Sequence, residues 1–260
     1  MPELPDVEGF RRVLDEHAKG KRIDDVVILD AGVLRDVSAR RVRGKLRNQR
    51  FAKPRRLGKW LIAPVSGSQV TVVLHFGMTG SFQWASAGDE RQKHDRVVFV
   101  FDDGELRYRD MRKLQGLRLV AGGSDLDRLL AETGPDALDV SRQEFRDLLA
   151  GRRQLKPLLV DQSVVSGLGN LLVDEILWRA KLNPRVPAGS LDRQAGDALH
   201  REMLKVLRAA VKAERVPPRK SWLTGRRDEP SGSCPRCGTT LEHGRVGGRG
   251  TVWCPRCQSG

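Results

Sequence analysis

The sequence predicts an α+β protein of several domains. An N-terminal helix and an antiparallel β-sandwich come first, then a helical segment, then a short cysteine-bearing hairpin. Three observations carry this. Strand-like runs follow one another from about residue 22 to 120 with no helix between them, the pattern of an antiparallel sandwich. From about residue 122 the apolar spacing turns helical. All four cysteines fall in the last 27 residues. The expected division is 1–121, 122–232 and 233–260.

Residues 5–19 read as an amphipathic helix, with Val7, Phe10 and Leu14 on one face and Gly20 as its stop. Expected strands are Ile23–Leu29, Val42–Asn48, Lys59–Ala63, Val70–Phe76, Val97–Phe101 and Glu105–Arg109. Asp103-Gly104 between the last two is a hairpin signal. Gly122-Gly123-Ser124 and Gly134-Pro135-Asp136 read as connectors. Ser141 and Glu144 have capping-box spacing ahead of Phe145, Leu148 and Leu149. Helices are expected over Leu155–Asp161, Leu171–Lys181 and Leu191–Ala213, with a loop over 215–233.

The net charge is +14 and charged residues make up 31% of the chain. The excess runs along nearly the whole length, which suits a polyanionic partner, most often nucleic acid. A basic surface that is merely solvated is the alternative. No apolar run reaches the ~18–20 residues of a membrane span. The start is acidic at Glu3, Asp6 and Glu8, so no signal peptide is expected and the cytoplasm is the expected compartment. Without a heptad pattern or internal repeat, the expectation is a monomer.

Cys234-Pro235-Arg236-Cys237 and Cys254-Pro255-Arg256-Cys257 are two C-x-x-C knuckles with 16 residues between them. That spacing suits one Zn²⁺ held by four thiolates. Four protein ligands leave no open position, so the metal would be structural. A reducing cytoplasm argues against disulfides.

Pro2-Glu3 has two readings. Removal of Met1 would expose a secondary amine beside a carboxylate, a nucleophile able to form an iminium ion on a sugar aldehyde carbon. Free α-amines titrate near pH ~7.7–8.0, so much of it would be unprotonated. Alternatively, the proline simply starts a helix. Ser166-Gly167-Leu168-Gly169-Asn170 precedes a helix, with Asn170 as its expected N-cap. Capping is the simpler reading of this turn, and a phosphate held on its backbone N–H groups is the other. His75-Phe76-Gly77-Met78-Thr79-Gly80 closes an apolar strand with Met78 at a loop tip, fit for a wedge between bases or for ordinary packing. Arg109-Asp110-Met111-Arg112-Lys113-Leu114 offers cations and an apolar tip after the later hairpin.

Taken in order, Pro2-Glu3, Lys59, the Gly77-Met78-Thr79-Gly80 loop, the Arg112 loop, Gly167-Leu168-Gly169-Asn170 and the four-cysteine finger resemble the Fpg/Nei family of DNA glycosylases. The resemblance covers essentially the whole chain. It implies a helix-two-turn-helix in the helical segment. It implies a base-excision repair glycosylase with AP lyase activity, acting on damaged double-stranded DNA by β- and δ-elimination. Pro2 would attack C1′, Glu3 would move protons at the sugar, and Lys59 would reach a phosphate near the lesion. Met78, Arg112 and Leu114 would fill the gap left by a flipped nucleotide. Asn170 and Arg249 would clamp phosphate. His75, Lys93, His94, Lys113 and Lys156 would lie near the DNA backbone or lesion pocket. The alternative is a non-catalytic protein of this fold that binds damaged DNA. A basic zinc ribbon that binds RNA would leave Pro2-Glu3 unexplained.

Four departures from the family's pattern stand out. Leu114 stands where Phe is frequent, Asp6 replaces Glu, and no aromatic follows Asn170. Residues 215–233 are shorter than the family's segment that covers 8-oxoguanine. This points away from efficient 8-oxoguanine excision and leaves formamidopyrimidines, oxidised pyrimidines, abasic sites and bulkier adducts open.

Overall fold

The computed structural model describes residues 1–229 and 231–259. The chain forms two compact units. One holds residues 1–2 and 6–131, the other residues 3–5 and the described residues from 132 onward.

In the first unit, which α1 (Leu4–His17) joins from Asp6 onward, Val7 and Leu14 of that helix are buried along one stripe. Two four-stranded antiparallel sheets supply the rest. Strands β1 (Asp25–Ile28), β6 (Asp95–Phe101), β7 (Gly104–Arg109) and β5 (Ser81–Ser86) lie in the order β1-β6-β7-β5. Strands β2 (Arg55–Leu57), β3 (Trp60–Pro64), β4 (Val70–His75) and β8 (Gly116–Ala121) lie in the order β2-β3-β4-β8. Val26, Phe99 and Leu106 from one sheet share a core with Leu61, Val72 and Leu74 from the other, as a sandwich requires.

Alternation on β4 explains an element the sequence reading missed. Val72 and Leu74 face the shared core, while Val73 points the other way with Ile62. That second apolar face is covered by Leu126, Leu129 and Leu130 of α3 (Gly123–Leu130). The stretch opening at Gly122-Gly123 is therefore a helix start rather than a connector, and the first unit runs to Ala131 rather than stopping at 121. A second correction concerns Val42–Asn48, which is not a strand. Residues Ala39–Leu46 form α2, with the Ser38 hydroxyl accepting the Arg41 N–H and with Val42 and Leu46 buried. Val42, Gly44 and Leu46 fit alternation, but Val42 and Leu46 also fit an i, i+4 stripe, and the cap favours the helix.

The second unit contains α4 (Arg142–Leu148), α5 (Leu155–Leu159), α6 (Asn170–Ala180) and α7 (Arg193–Lys212). The Ser141–Glu144 capping box forms in full, and Asp192 caps α7 through the Ala195 N–H. Lys181 ends α6 in the left-handed conformation at φ 58°. Leu155, Leu172, Ile176, Met203 and Leu207 meet in its core. A hairpin of β9 (Glu242–Val246) and β10 (Arg249–Trp253) follows.

Gly116 opens β8 where the 31–33 turn runs against it, and an added Cβ would lie 1.9 Å from the Val33 carbonyl oxygen. Backbone cannot step aside as a side-chain tip can. Gly116→Ala should cost about 1–3 kcal/mol. A urea titration should show a lower midpoint with an unchanged slope.

Candidate functional site

The N-terminus of α6 is built around Glu3. Its carboxylate accepts the backbone N–H groups of Gly169 (3.0 Å), Leu171 (2.9 Å) and Leu172 (3.1 Å). These are donors that a helix start leaves open. The arrangement corrects the expected cap: Gly169 holds the N-cap position, Asn170 is already helical, and Glu3 supplies the capping oxygens. Close approach demands glycine here. A Cβ on Gly169 would fall 2.2 Å from the Glu3 carboxyl carbon, and one on Gly167 would fall 2.5 Å from Leu4 Cδ1. The Leu4 N–H bonds the Gly167 carbonyl at 3.0 Å. Gln162, which the motif reading did not single out, fixes the turn. It accepts the Gly167 N–H and donates to the Val160 and Leu168 carbonyls.

One turn further along α6, Asp174 accepts from Lys156 Nζ (2.5 Å), from Arg227 and from the Val252 N–H (3.3 Å). The Gly250 carbonyl accepts three donors, Lys156 Nζ, Asn170 Nδ2 and Arg227 Nη2, each at 2.9 Å. The hairpin that presents exposed Arg249 is thereby fastened to α6. Lys156, expected near the DNA backbone or lesion pocket, is fully buried and bonded to Asp174 and the Gly250 carbonyl, so in this structure it ties α5 to α6 and the hairpin. Burial is the largest influence on its ammonium and pushes its pKa below the usual lysine range, with Arg227 adding to this and Glu3 opposing it.

The four cysteine sulfurs lie within 4.8 Å of one another. Cys234 and Cys257 are 3.9 Å apart, and Cys237 and Cys254 are 3.5 Å apart. A tetrahedron built on Zn–S bonds of ~2.3 Å has edges of about 3.8 Å. The donor set therefore fits one structural zinc ion. The buried Trp178 indole on α6 donates to Cys234 Sγ at 3.3 Å, and Arg236 lies over the same ring at 4.5 Å. Gln258 accepts the Cys254 N–H and donates to the Leu182 carbonyl, both at 2.9 Å. Neither Trp178 nor Gln258 carries a ligand signature, and only the packing reveals them.

In the first unit, two loops carry the remaining candidates. Asp110 is buried and joins them: its carboxylate accepts Thr79 Oγ1 (2.5 Å), Tyr108 Oη (3.2 Å) and the Arg112 N–H (3.1 Å). Arg112 Nη1 reaches Met78 Sδ at 3.0 Å. Met78, Met111 and Leu114 are 40%, 55% and 51% exposed, large apolar side chains held out from the surface. Lys113 is left-handed at φ 53° and its ammonium pairs with Asp30 at 2.9 Å. Arg35 secures the same loop by donating to the Lys113 and Gln115 carbonyls. Lys93 is exposed, and His94 Nδ1 lies 3.2 Å from Arg96 Nη2.

Lys59 lies in the Gly58-Lys59 turn between β2 and β3 rather than in a strand. His75, at the end of β4, accepts the Gly77 N–H on Nδ1 at 3.1 Å and packs edge-on against Trp60. Burial, then Lys59 and Arg118, push its pKa down to about 4, so the ring is neutral and carries its proton on Nε2.

A β-sandwich with these tethered loops, a glycine-turn helix pair and a four-thiolate hairpin define a zinc-finger protein of the helix-two-turn-helix class. Family models match in that order. They are the formamidopyrimidine-DNA glycosylase N-terminal domain over 1–117, its H2TH domain over 133–219, and the zinc finger found in FPG and IleRS over 233–260. The chain belongs to the formamidopyrimidine-DNA glycosylase family. The glycosylase of Geobacillus kaustophilus is 38% identical over 285 residues, covering 99% of this chain and 100% of that one. That of Ligilactobacillus salivarius is 33% identical with 99% of both chains covered. Lactococcus lactis Fpg in complex with abasic-site DNA superposes with a TM-score of 0.89 at 30% identity, covering 99% of this chain and 100% of that one. A point mutant of it bound to Fapy-dG DNA gives 0.90 at 29% identity, with 100% of both chains covered.

His75 binds its proton at about pH 4 when folded and at about 6.5 when unfolded. Above pH 6.5 both states are neutral and His75 adds no pH dependence. Between 6.5 and 4 only the unfolded chain takes the proton, so stability falls as pH falls, by up to about 3 kcal/mol. His75→Gln should remove that part of the slope in urea titrations run from pH 7.5 to 4.5. Trp178→Phe removes a buried donor to a zinc thiolate while keeping an apolar ring. Zinc transfer to a colorimetric chelator should speed up about 10-fold, the range for lost outer partners of a metal site.

Proposed function

We propose that Pro2, once Met1 is removed, is the nucleophile of a bifunctional DNA glycosylase and AP lyase. The observation that carries this reading is the seat of Glu3. The residue next to Pro2 in the chain is immobilised by three backbone N–H groups at the positive end of a helix. The secondary amine attacks C1′ of a flipped nucleotide, and the C1′–base bond breaks as the base leaves. Glu3 takes the proton that the attacking amine gives up and passes it to the ring oxygen as the sugar opens to the iminium ion. The iminium acidifies the C2′ hydrogen. Its loss expels the 3′ phosphate, and a second elimination expels the 5′ phosphate, leaving a one-nucleotide gap.

Met78, Arg112 and Leu114 fill the space of the flipped nucleotide. Their exposure, and the buried Asp110 that fixes both loops, support this role. Asn170, Arg249, Lys59 and Lys113 serve phosphates, and His75, Lys93 and His94 line the approach. The partner is damaged duplex DNA, bound by a monomer in the cytoplasm. No helix is long and apolar enough to cross a membrane among the described residues.

The lesion class follows from the short segment after α7. Trp222 and Leu223 are buried, the Thr224 N–H bonds Glu175 at 3.2 Å, and Arg227 pairs with Asp174. A segment pinned in this way has little chain left to close over a purine. Formamidopyrimidines, oxidised pyrimidines and abasic sites are the favoured substrates, with 8-oxoguanine removed slowly. Lactococcus lactis relatives have been captured on Fapy-dG, oxidised pyrimidine and abasic DNA.

Borohydride trapping on abasic duplex tests the nucleophile. The mature protein should give a covalent adduct, and acetylation of the terminal amine should reduce the yield at least ~100-fold. A blocked terminus that traps as well as the free one would refute Pro2 as nucleophile.

A further inference from the structure

One cleft of the first unit lies away from Pro2-Glu3 in sequence and has no role so far. It measures about 630 Å³ and is lined by Ile28, Ala39, Arg40, Arg43, Gly44, Arg47 and Asn48. Residues 38–50 hold five arginines and one lysine and no carboxylate. Arg40, Arg43 and Arg47 recur at i, i+3 and i+7, so α2 turns one stripe of guanidinium groups into the cleft. Arg43 is partly engaged, with Nε on the Val26 carbonyl and 3.3 Å from Asp25. Arg47 Nε donates to the Asp24 carbonyl. Neither Arg40 nor Arg47 has an ion-pair partner among the described residues.

We propose that this cleft is a second phosphate-backbone site, which grips duplex DNA flanking the base pair engaged by the Met78 and Arg112 loops. The proposal rests on the DNA-glycosylase reading above. Three arguments select a DNA backbone. First, the cations are in line about one turn apart and span about 10 Å, the length of about three base pairs. A row of anions fits this better than a single ligand does. Second, guanidinium groups bind phosphate oxygens in pairs. The lining has no aromatic ring on which a base could stack, so the site reads the backbone and not the sequence. Third, the cleft adjoins the loops. Ile28 leads within two residues to Asp30, which holds Lys113, and Arg35, which holds the Lys113 carbonyl, lies four residues before α2.

Gly44 offers a clean test. It lines the cleft at mid-helix, and an added Cβ would meet nothing within 4 Å. Gly44→Glu and Gly44→Lys therefore alter charge without crowding, and Gly44→Ala adds a side chain without charge. Binding to a long undamaged duplex would be titrated across salt concentrations. Each phosphate contact contributes ~0.9 to the slope of log K against log salt. Gly44→Glu should lower the slope by about 1–2 and weaken binding roughly 10-fold or more, Gly44→Lys should raise the slope by about 1, and Gly44→Ala should match the wild type. On a duplex trimmed to the lesion and two base pairs on each side, the three variants should converge. Equal slopes for all three on the long duplex would overturn the proposal. So would a difference that survives on the trimmed one, or an oligoglutamate peptide that binds the cleft without competing with duplex. Failure of the glycosylase reading would look different: the wild type itself would give no borohydride adduct.

Discussion

The carboxylate of Glu3 is the constraint on which the site depends. A helix start buried without capping oxygens leaves N–H groups unpaired, each at a cost of about 1–3 kcal/mol. The turn before α6 cannot cap itself, because Gly167 and Gly169 have no side chains and Asn170 is turned towards Gly250. Glu3 satisfies three donors at once. Folding thus fixes the carboxylate of the residue that follows Pro2 in the chain. The converse also holds. Any side chain at Gly169 would strike Glu3, so the turn's composition and the carboxylate's position determine each other.

From that end, α6 acts as a shaft about 16 Å long. Glu3 sits at its start, Asp174 gathers Lys156, Arg227 and Val252 one turn on, and Trp178 touches a zinc thiolate near its end. Each contact is weak alone, but they share one rigid element. A structural metal with no open position therefore still bears on the proposed site, by holding the hairpin of Arg249 and the far end of the helix that seats Glu3. Lys156 belongs to this scaffold. Its charge is tolerated inside because Asp174 and the Gly250 carbonyl surround it.

Much of this was legible in the chain. The cysteine spacing, the capping box at Ser141 and the strands flanking Asp103-Gly104 are local signals, and local structure follows them. What escaped was non-local. Whether Val42–Leu46 is strand or helix depends on a Ser38 cap and on which face meets the core. Gly122-Gly123 looked like a break because the outward Ile62–Val73 face that needs a helix cover lies some fifty residues earlier. Asn170 was expected to cap α6, but the oxygens that cap it come from a residue 166–169 positions away. Asp110 lies inside the Arg109–Leu114 stretch but carries no signal of its own there, and Gln162 and Trp178 belong to no motif. They act through partners that only the fold brings near.

Asp110 shows why such residues matter to function. Exposed Met78 and Leu114 gain nothing by standing in water, and a flexible loop would fold them back onto the sandwich. The buried Asp110 carboxylate prevents this by binding one loop through Thr79 and the other through the Arg112 N–H, with Tyr108 behind it. Arg112 then lies against the Met78 sulfur, so cation and thioether present a single edge. For the wedge role proposed above, order beforehand matters, because ordering on binding would add to the few kcal/mol already needed to unstack a nucleotide. The loops meet that requirement before any DNA arrives.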